Sequence, residues 1–220
     1  CAHTFIFPAL MDPSIGTKSM TAFIIDKDMP GLEIGKHENK MGIRTSHTTE
    51  VICKNVVVPA ENLLWKEGKG FALSMMTLDG GRIGVAAQAL GTAEAALREG
   101  VKFANERVQV GKPIATKQAI QWMIAECATD IEAARWLVYR AAVAHDEGRP
   151  YSKEAAMAKM FASETAVKVC DKMLQVHGGY GYIKDFMIEK LYRDAKITTI
   201  YEGTNEVQRM VVSGNVIAGK

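Results

Sequence analysis

Two carboxylates, Glu202 and Glu206, stand four residues apart in the stretch TTIYEGTNEVQ, with Gly203 and Thr204 between them. A carboxylate can remove a proton as a general base if it is held within reach of it. It can also serve a helix, because an acid in the first turn complements the helix dipole. Thr204 suits an N-cap position, so Glu206 falls in the first turn of a helix that follows. Glu202 precedes the cap and has no such helical role. It reads either as a surface acid or as a reactive one.

Three other constellations carry chemistry-bearing side chains. In LDGGRIG, Asp79 and Arg82 are three apart and share a helix face. The two glycines between them each cost a helix about 1 kcal/mol relative to alanine, which calls for a packing or ligand reason. The pair reads as an ion pair or as a ligand contact. Arg107 and Gln118 flank the breaker segment VGKPI. An arginine there can hold a pyrophosphate through charge-assisted bonds, or interact with its own helix C-terminus. In QVHGGYGY, Gly178 and Gly179 can end a helix in left-handed backbone, or leave bare backbone that a cofactor approaches closely. The cluster lies between helices and does not follow a strand, which excludes a Rossmann phosphate loop.

The elements that must position these groups change character along the chain. Residues 1–64 read as strands. HTFIFPAL and SMTAFIID, joined by a Pro/Gly/Ser turn, predict a hairpin. MPGLEIG predicts a further strand, and so does TTEVICKNVVVP as far as Pro59. From Phe71 the periodicity is helical. Long helices are predicted up to Arg107 and from about 115 to Gly148. A third starts with Ser152 as N-cap and stops at Gly178. A shorter helical segment and a last helix after Thr204 follow. Long helices with short connections make an antiparallel bundle. The fold class is therefore mainly α: a C-terminal antiparallel helical bundle (65–220) preceded by part of an antiparallel β domain (1–64).

Composition narrows the function classes. The chain has 220 residues, 48% hydrophobic and 24% charged, with 27 basic and 25 acidic residues for a net charge of +2. That balance offers no basic field for nucleic acid or an anionic membrane. No apolar run reaches the roughly 20 residues of a membrane span. Cys1, Cys53, Cys127 and Cys170 are scattered without a CxxC pair, which reads as free thiols in a reducing compartment. The five histidines form no metal motif. The chain opens at Cys1 in what reads as mid-strand, so a fragment is expected.

Together and in this order, these pieces resemble the C-terminal part of the acyl-CoA dehydrogenases, the flavoproteins that make α,β-unsaturated acyl-CoA thioesters. QVHGGYGYIKDFMIEKLYRD resembles the family's C-terminal signature at every position. IYEGTNEVQ resembles the catalytic loop of its short-chain and butyryl-CoA members, and LDGGRIGVAAQALG is similar to the same group. MGIRTSHTTEVICKNVVVP resembles the end of the middle β domain. The resemblance covers essentially the whole chain. It implies that the N-terminal helical domain and the first half of the β domain are absent.

The resemblance also implies roles. Glu202 corresponds to the catalytic base, and Gly203, Asp79 and Arg82 to substrate contacts. Arg107, Gln118, Gln175, Val176, His177, Gly178, Gly179, Thr204 and Glu206 fall in segments that hold FAD, some of them serving the cofactor of a neighbouring subunit. One group of relatives carries its base at the position of Gly81, which has no carboxylate here. The family's usual R-x-x-F-G reads RVQVG, with Val110 in place of the aromatic residue. The implied reaction is FAD-dependent dehydrogenation of a short-chain acyl-CoA. The base takes the α-proton, hydride passes from the β-carbon to flavin N5, and electrons leave to an electron-transfer flavoprotein. The implied assembly is a homotetramer (dimer of dimers) or a homodimer, and the implied location is the cytoplasm of a bacterium or a mitochondrial matrix. An enoyl-CoA reductase using the same chemistry in reverse, and a truncated, non-catalytic assembly module, are the competing readings.

Overall fold

A computed structural model of the chain describes residues 2–219; Cys1, one of the four predicted free thiols, lies outside them. Cys53, Cys127 and Cys170 are free thiols. The chain divides into two compact units that meet in sequence between Leu78 and Asp79.

In the first unit, β1 (Thr4–Leu10) and β2 (Met20–Asp26) pair antiparallel from Thr4 opposite Asp26 to Leu10 opposite Met20. A 3-10 segment, Pro13–Ser19, connects them. β3 (Leu32–Ile34) pairs with β4 (Val51–Cys53), and the two-residue β5 (Leu63–Leu64) completes the sheet order β1-β2-β5. The predicted hairpin is present. The strand expected to run to Pro59 ends at Cys53, and Val56–Val58 form no ladder. The apolar run there reads like a strand, but a residue in left-handed backbone, Asn55 at φ +54°, interrupts it.

Five helices dominate the rest: α1 (Gly70–Glu106), α2 (Gln118–Asp146), α3 (Ser152–His177), α4 (Met187–Ala195) and α5 (Asn205–Ile217). A small antiparallel hairpin, β6 (Val108–Gln109) and β7 (Lys112–Pro113), separates α1 from α2. The core of the second unit is lined largely by alanines, among them Ala86, Ala93, Ala134, Ala141, Ala158 and Ala166, with Ile131, Met173 and Ile188 filling the wider gaps. Small side chains let helix backbones approach closely. At Gly100 a methyl group would lie 3.0 Å from the Met173 Cγ. Ser152 is the first residue of α3 and not its cap. The cap position is Tyr151, and the Ser152 hydroxyl donates instead to the Asp79 carboxylate at 3.1 Å. No helix among the described residues is long and apolar enough to cross a membrane.

Candidate active site

The turn before α5 holds Glu202 in left-handed backbone, φ +56°. For a residue with a side chain that conformation costs on the order of 1–3 kcal/mol and persists where the surroundings fix it. The surroundings here are three helices. The Tyr201 hydroxyl donates to Gln88 Oε1 on α1. Gln208 on α5 donates its Nε2 to the carbonyls of Glu202 (3.3 Å) and Gly203 (2.9 Å). Lys159 on α3 donates its Nζ to the Gly203 carbonyl at 2.8 Å. Gly203 itself has φ +86°, and a Cβ on it would lie 2.7 Å from Gln208 Nε2. Thr204 then caps α5, its hydroxyl accepting from the Val207 N–H. Glu206 in the first turn is held below the usual carboxylate range by its own backbone N–H and then by the Thr204 hydroxyl.

The Glu202 side chain reaches α1 at Gly81. A Cβ built there would collide with Glu202 Oε1 and lie 2.9 Å from its Cδ. The missing side chain at 81 is thus the slot in which the carboxylate lies. Gly80 has no such reason, since its nearest neighbour is the Tyr151 hydroxyl at 4.0 Å. The residue after Gly81, Arg82, is 5% exposed. Its Nη1 pairs with Asp79 at 2.6 Å, and its buried Nε has no hydrogen-bond partner among the described residues. The predicted ion pair is formed, and an unused donor remains beside the Glu202 turn.

Six of the residues expected at a cofactor, Arg107, Gln175, Val176, His177, Gly178 and Gly179, line one groove of about 590 Å3 with Phe103 and Tyr180. The Arg107 guanidinium lies over the Tyr180 ring, 5.3 Å from its centroid. Gln118 opens α2, flanked by two lining residues, Lys117 and Ala119. Val176 and His177 are buried. The His177 ring stacks on Phe103 at 4.3 Å, and its Nδ1 lies 2.7 Å from the Met173 carbonyl, so both serve the core. Gly178 ends α3 at φ +58° and ψ −135°, outside the left-handed helical region and in backbone that glycine alone enters readily. Gly179 has neither positive φ nor crowding: a Cβ there would meet nothing within 4 Å. Its bare backbone is open to an approaching group.

Thr204 and Glu206 line a different cavity, about 520 Å3, with Glu164, Lys168 and Arg209, and the two cavities share no lining residue. At the tip of the β6–β7 hairpin, Val110 is 92% exposed with φ +52°, followed by Gly111 at φ +73°. The residues that tie down the Glu202 turn, Lys159, Gln208, Gln88 and Tyr201, were not singled out in the sequence. A signal existed for Lys159, which recurs with Ala155, Ala162 and Ala166 on one stripe of α3.

Residues 68–217 match the family model described as acyl-CoA dehydrogenase, C-terminal domain. The chain is 53% identical over 216 residues to an acryloyl-CoA reductase (NADH) of Anaerotignum propionicum, covering 98% of this chain and 55% of the relative. It superimposes with a TM-score of 0.97 on butyryl-CoA dehydrogenase from Megasphaera elsdenii, at 52% identity, covering 98% of this chain and 56% of that one. A chain of a structure described as the electron transferring flavoprotein of Acidaminococcus fermentans matches at TM-score 0.97 and 54% identity, covering 98% and 57%. The chain therefore spans a little over half the length of these proteins.

Proposed function

Because the chain belongs to the acyl-CoA dehydrogenase family, we propose that the whole protein interconverts a short-chain acyl-CoA and its α,β-unsaturated counterpart, with Glu202 as the base that takes the α-proton. One observation carries this reading: a carboxylate on a strained turn, fixed from three helices, is seated in a slot that only a glycine at 81 leaves open. Strain held in place by surrounding structure is a mark of functional sites. The carboxylate accepts no hydrogen bond from the described residues, so both oxygens are available to a substrate C–H. Arg82, with its buried free Nε, and Gly203 stand beside it as substrate contacts, and Asp79 orients Arg82.

FAD fits the remaining residues. An open backbone at Gly179, the Arg107 guanidinium and the exposed amides of Gln175 and Gln118 are donors suited to a pyrophosphate. Val176 and His177 support them from the core. Bound FAD supplies the acceptor for the hydride that leaves the β-carbon. Thr204 and Glu206 would hold a cofactor from the other cavity. Two such sets with no common lining residue are what a cofactor shared between subunits needs, which supports a homodimer or a homotetramer built as a dimer of dimers. The β-rich residues 1–64 read as the second half of a middle β domain, and 65–220 as the helical-bundle domain.

The dehydrogenase direction, with an electron-transfer flavoprotein as partner, is the first reading. The likeness to an acryloyl-CoA reductase favours a second, enoyl-CoA reduction with the same residues. In it Glu202, as the acid, returns the α-proton. Glu202→Gln in the full-length protein tests the base. The variant is expected to retain FAD and lose turnover with butyryl-CoA, and substantial butyryl-CoA oxidation would refute the assignment. Comparing butyryl-CoA oxidation with crotonyl-CoA reduction under a flavoprotein donor separates the two directions.

A further inference from the structure

We infer that Lys159 is a positioning residue for the base: its buried side chain ties the Glu202 turn to α3, and the reaction, not the fold, requires it. This rests on the reading of Glu202 as the base.

Lys159 is fully buried, at 0% exposure. Removing an ammonium from water is expensive unless it is well paired, and an apolar residue of similar volume is often neutral or stabilising in its place. Burial, and after it the neighbouring Arg82, push this lysine down to about 8, while Glu206, Glu202 and Glu164 oppose the shift. A buried cation held at such a disadvantage must supply something other than cohesion.

Its two hydrogen bonds show what that is. One goes to the Gly203 carbonyl at 2.8 Å and the other to Asn205 Oδ1 at 2.9 Å, the residues on either side of the α5 cap. The Gly203 carbonyl does not depend on Lys159 to be satisfied, since it also accepts from Gln208 Nε2 at 2.9 Å; Asn205 Oδ1 shares the single proton of the Ser163 hydroxyl, at 3.1 Å, with the Met160 carbonyl. What Lys159 adds is a second, differently directed restraint on the Gly203–Thr204 peptide, one residue beyond Glu202. Gln208 pulls on that peptide from α5, which is covalently continuous with the turn. Lys159 pulls from α3, which is not. With Lys159 gone, Glu202 can relax from φ +56° toward ordinary backbone and swing its carboxylate out of the Gly81 slot. A displacement of about 1 Å at a reacting group can reduce a rate about a hundredfold.

The test uses the full-length holoenzyme and compares Lys159→Met with Glu202→Gln. Flavin reduction by butyryl-CoA is followed in a single turnover, alongside bound FAD and thermal midpoint. Lys159→Met is expected to keep its FAD, to melt at or above the wild-type temperature, and to reduce flavin about ten- to a hundredfold more slowly with substrate affinity little changed. Flavin reduction within twofold of wild type overturns the inference while leaving the base assignment intact, provided Glu202→Gln is inactive. A Lys159→Met protein that loses FAD or stability in step with its rate also overturns it, because the role is then structural. An active Glu202→Gln overturns both readings.

Discussion

The Glu202 carboxylate occupies the space that a side chain at Gly81 would fill. The two residues lie far apart in the chain, one in the first third of α1 and one on the turn before α5, and each accounts for an oddity of the other. A glycine in mid-helix is unfavourable, and a left-handed glutamate is strained. Together they place a carboxylate against bare helix backbone.

Replacing Gly81 with alanine therefore separates stability from activity. Alanine improves the helix by about 1 kcal/mol, and the group it meets is the end of a flexible side chain that can move aside. Gly81→Ala is expected to leave the thermal midpoint unchanged or raised while lowering turnover at least tenfold. Denaturation curves and steady-state rates on the same preparation check it. A variant with wild-type turnover would mean that the carboxylate does not work from this slot.

The two glycines that follow α3 should respond differently. Gly178, at φ +58° and ψ −135°, is expected to lose about 1–3 kcal/mol of stability on change to alanine, the penalty of backbone that a Cβ disfavours. Gly179, in open space with negative φ, should tolerate alanine in the fold but retain FAD less well. Measuring chemical denaturation and flavin content of both variants in the full-length protein decides between a helix stop and a cofactor approach at each position.

The Val110 hairpin tip is a place where the sequence departs from a favourable turn. Consecutive positive φ values at Val110 and Gly111 ask for an Asn-Gly type of pair, and a β-branched residue is poorly suited to the first position. Val110→Asn is expected to raise stability by about 1 kcal/mol, seen as a shift in the denaturation midpoint. The side chain is already 92% exposed, so no packing is lost.

Lys159 sets a pH dependence of stability. Its folded-state value of about 8 lies below the ordinary 10.5, because burial and then Arg82 disfavour the charge, against the pull of Glu206, Glu202 and Glu164. Between those two values the unfolded chain binds more protons than the folded one, so stability rises with pH across the window. Below about pH 8 the full penalty of the buried charge is present. The difference in thermal midpoint between wild type and Lys159→Met should therefore be largest, in favour of methionine, near neutral pH and shrink toward pH 10. A difference independent of pH would show that the lysine is not desolvated as described.

Much of the architecture was legible in local pattern. The β1–β2 hairpin, the five helices, the Thr204 cap and the glycine stop at 178 follow from periodicity and turn chemistry. Two local readings failed for tertiary reasons. Ser152 looked like a cap, but its hydroxyl bonds to Asp79 on another helix. The apolar run after Cys53 looked like a strand, but left-handed backbone at Asn55 breaks it. At the site, Glu202 stood out because no helical role explained it. Lys159 did not, because a lysine among alanines reads as a solvated position until the helix is seen to be buried on that face.

The central claim is that Glu202 moves the proton at the α-carbon, and this can be observed without reference to the direction of the redox step. In D2O, the full-length holoenzyme should exchange the α-hydrogens of butyryl-CoA or of a non-oxidisable thioester analogue, followed by NMR. Glu202→Gln, with its FAD content unchanged, should abolish that exchange. Exchange persisting in the variant at the wild-type rate would contradict the account.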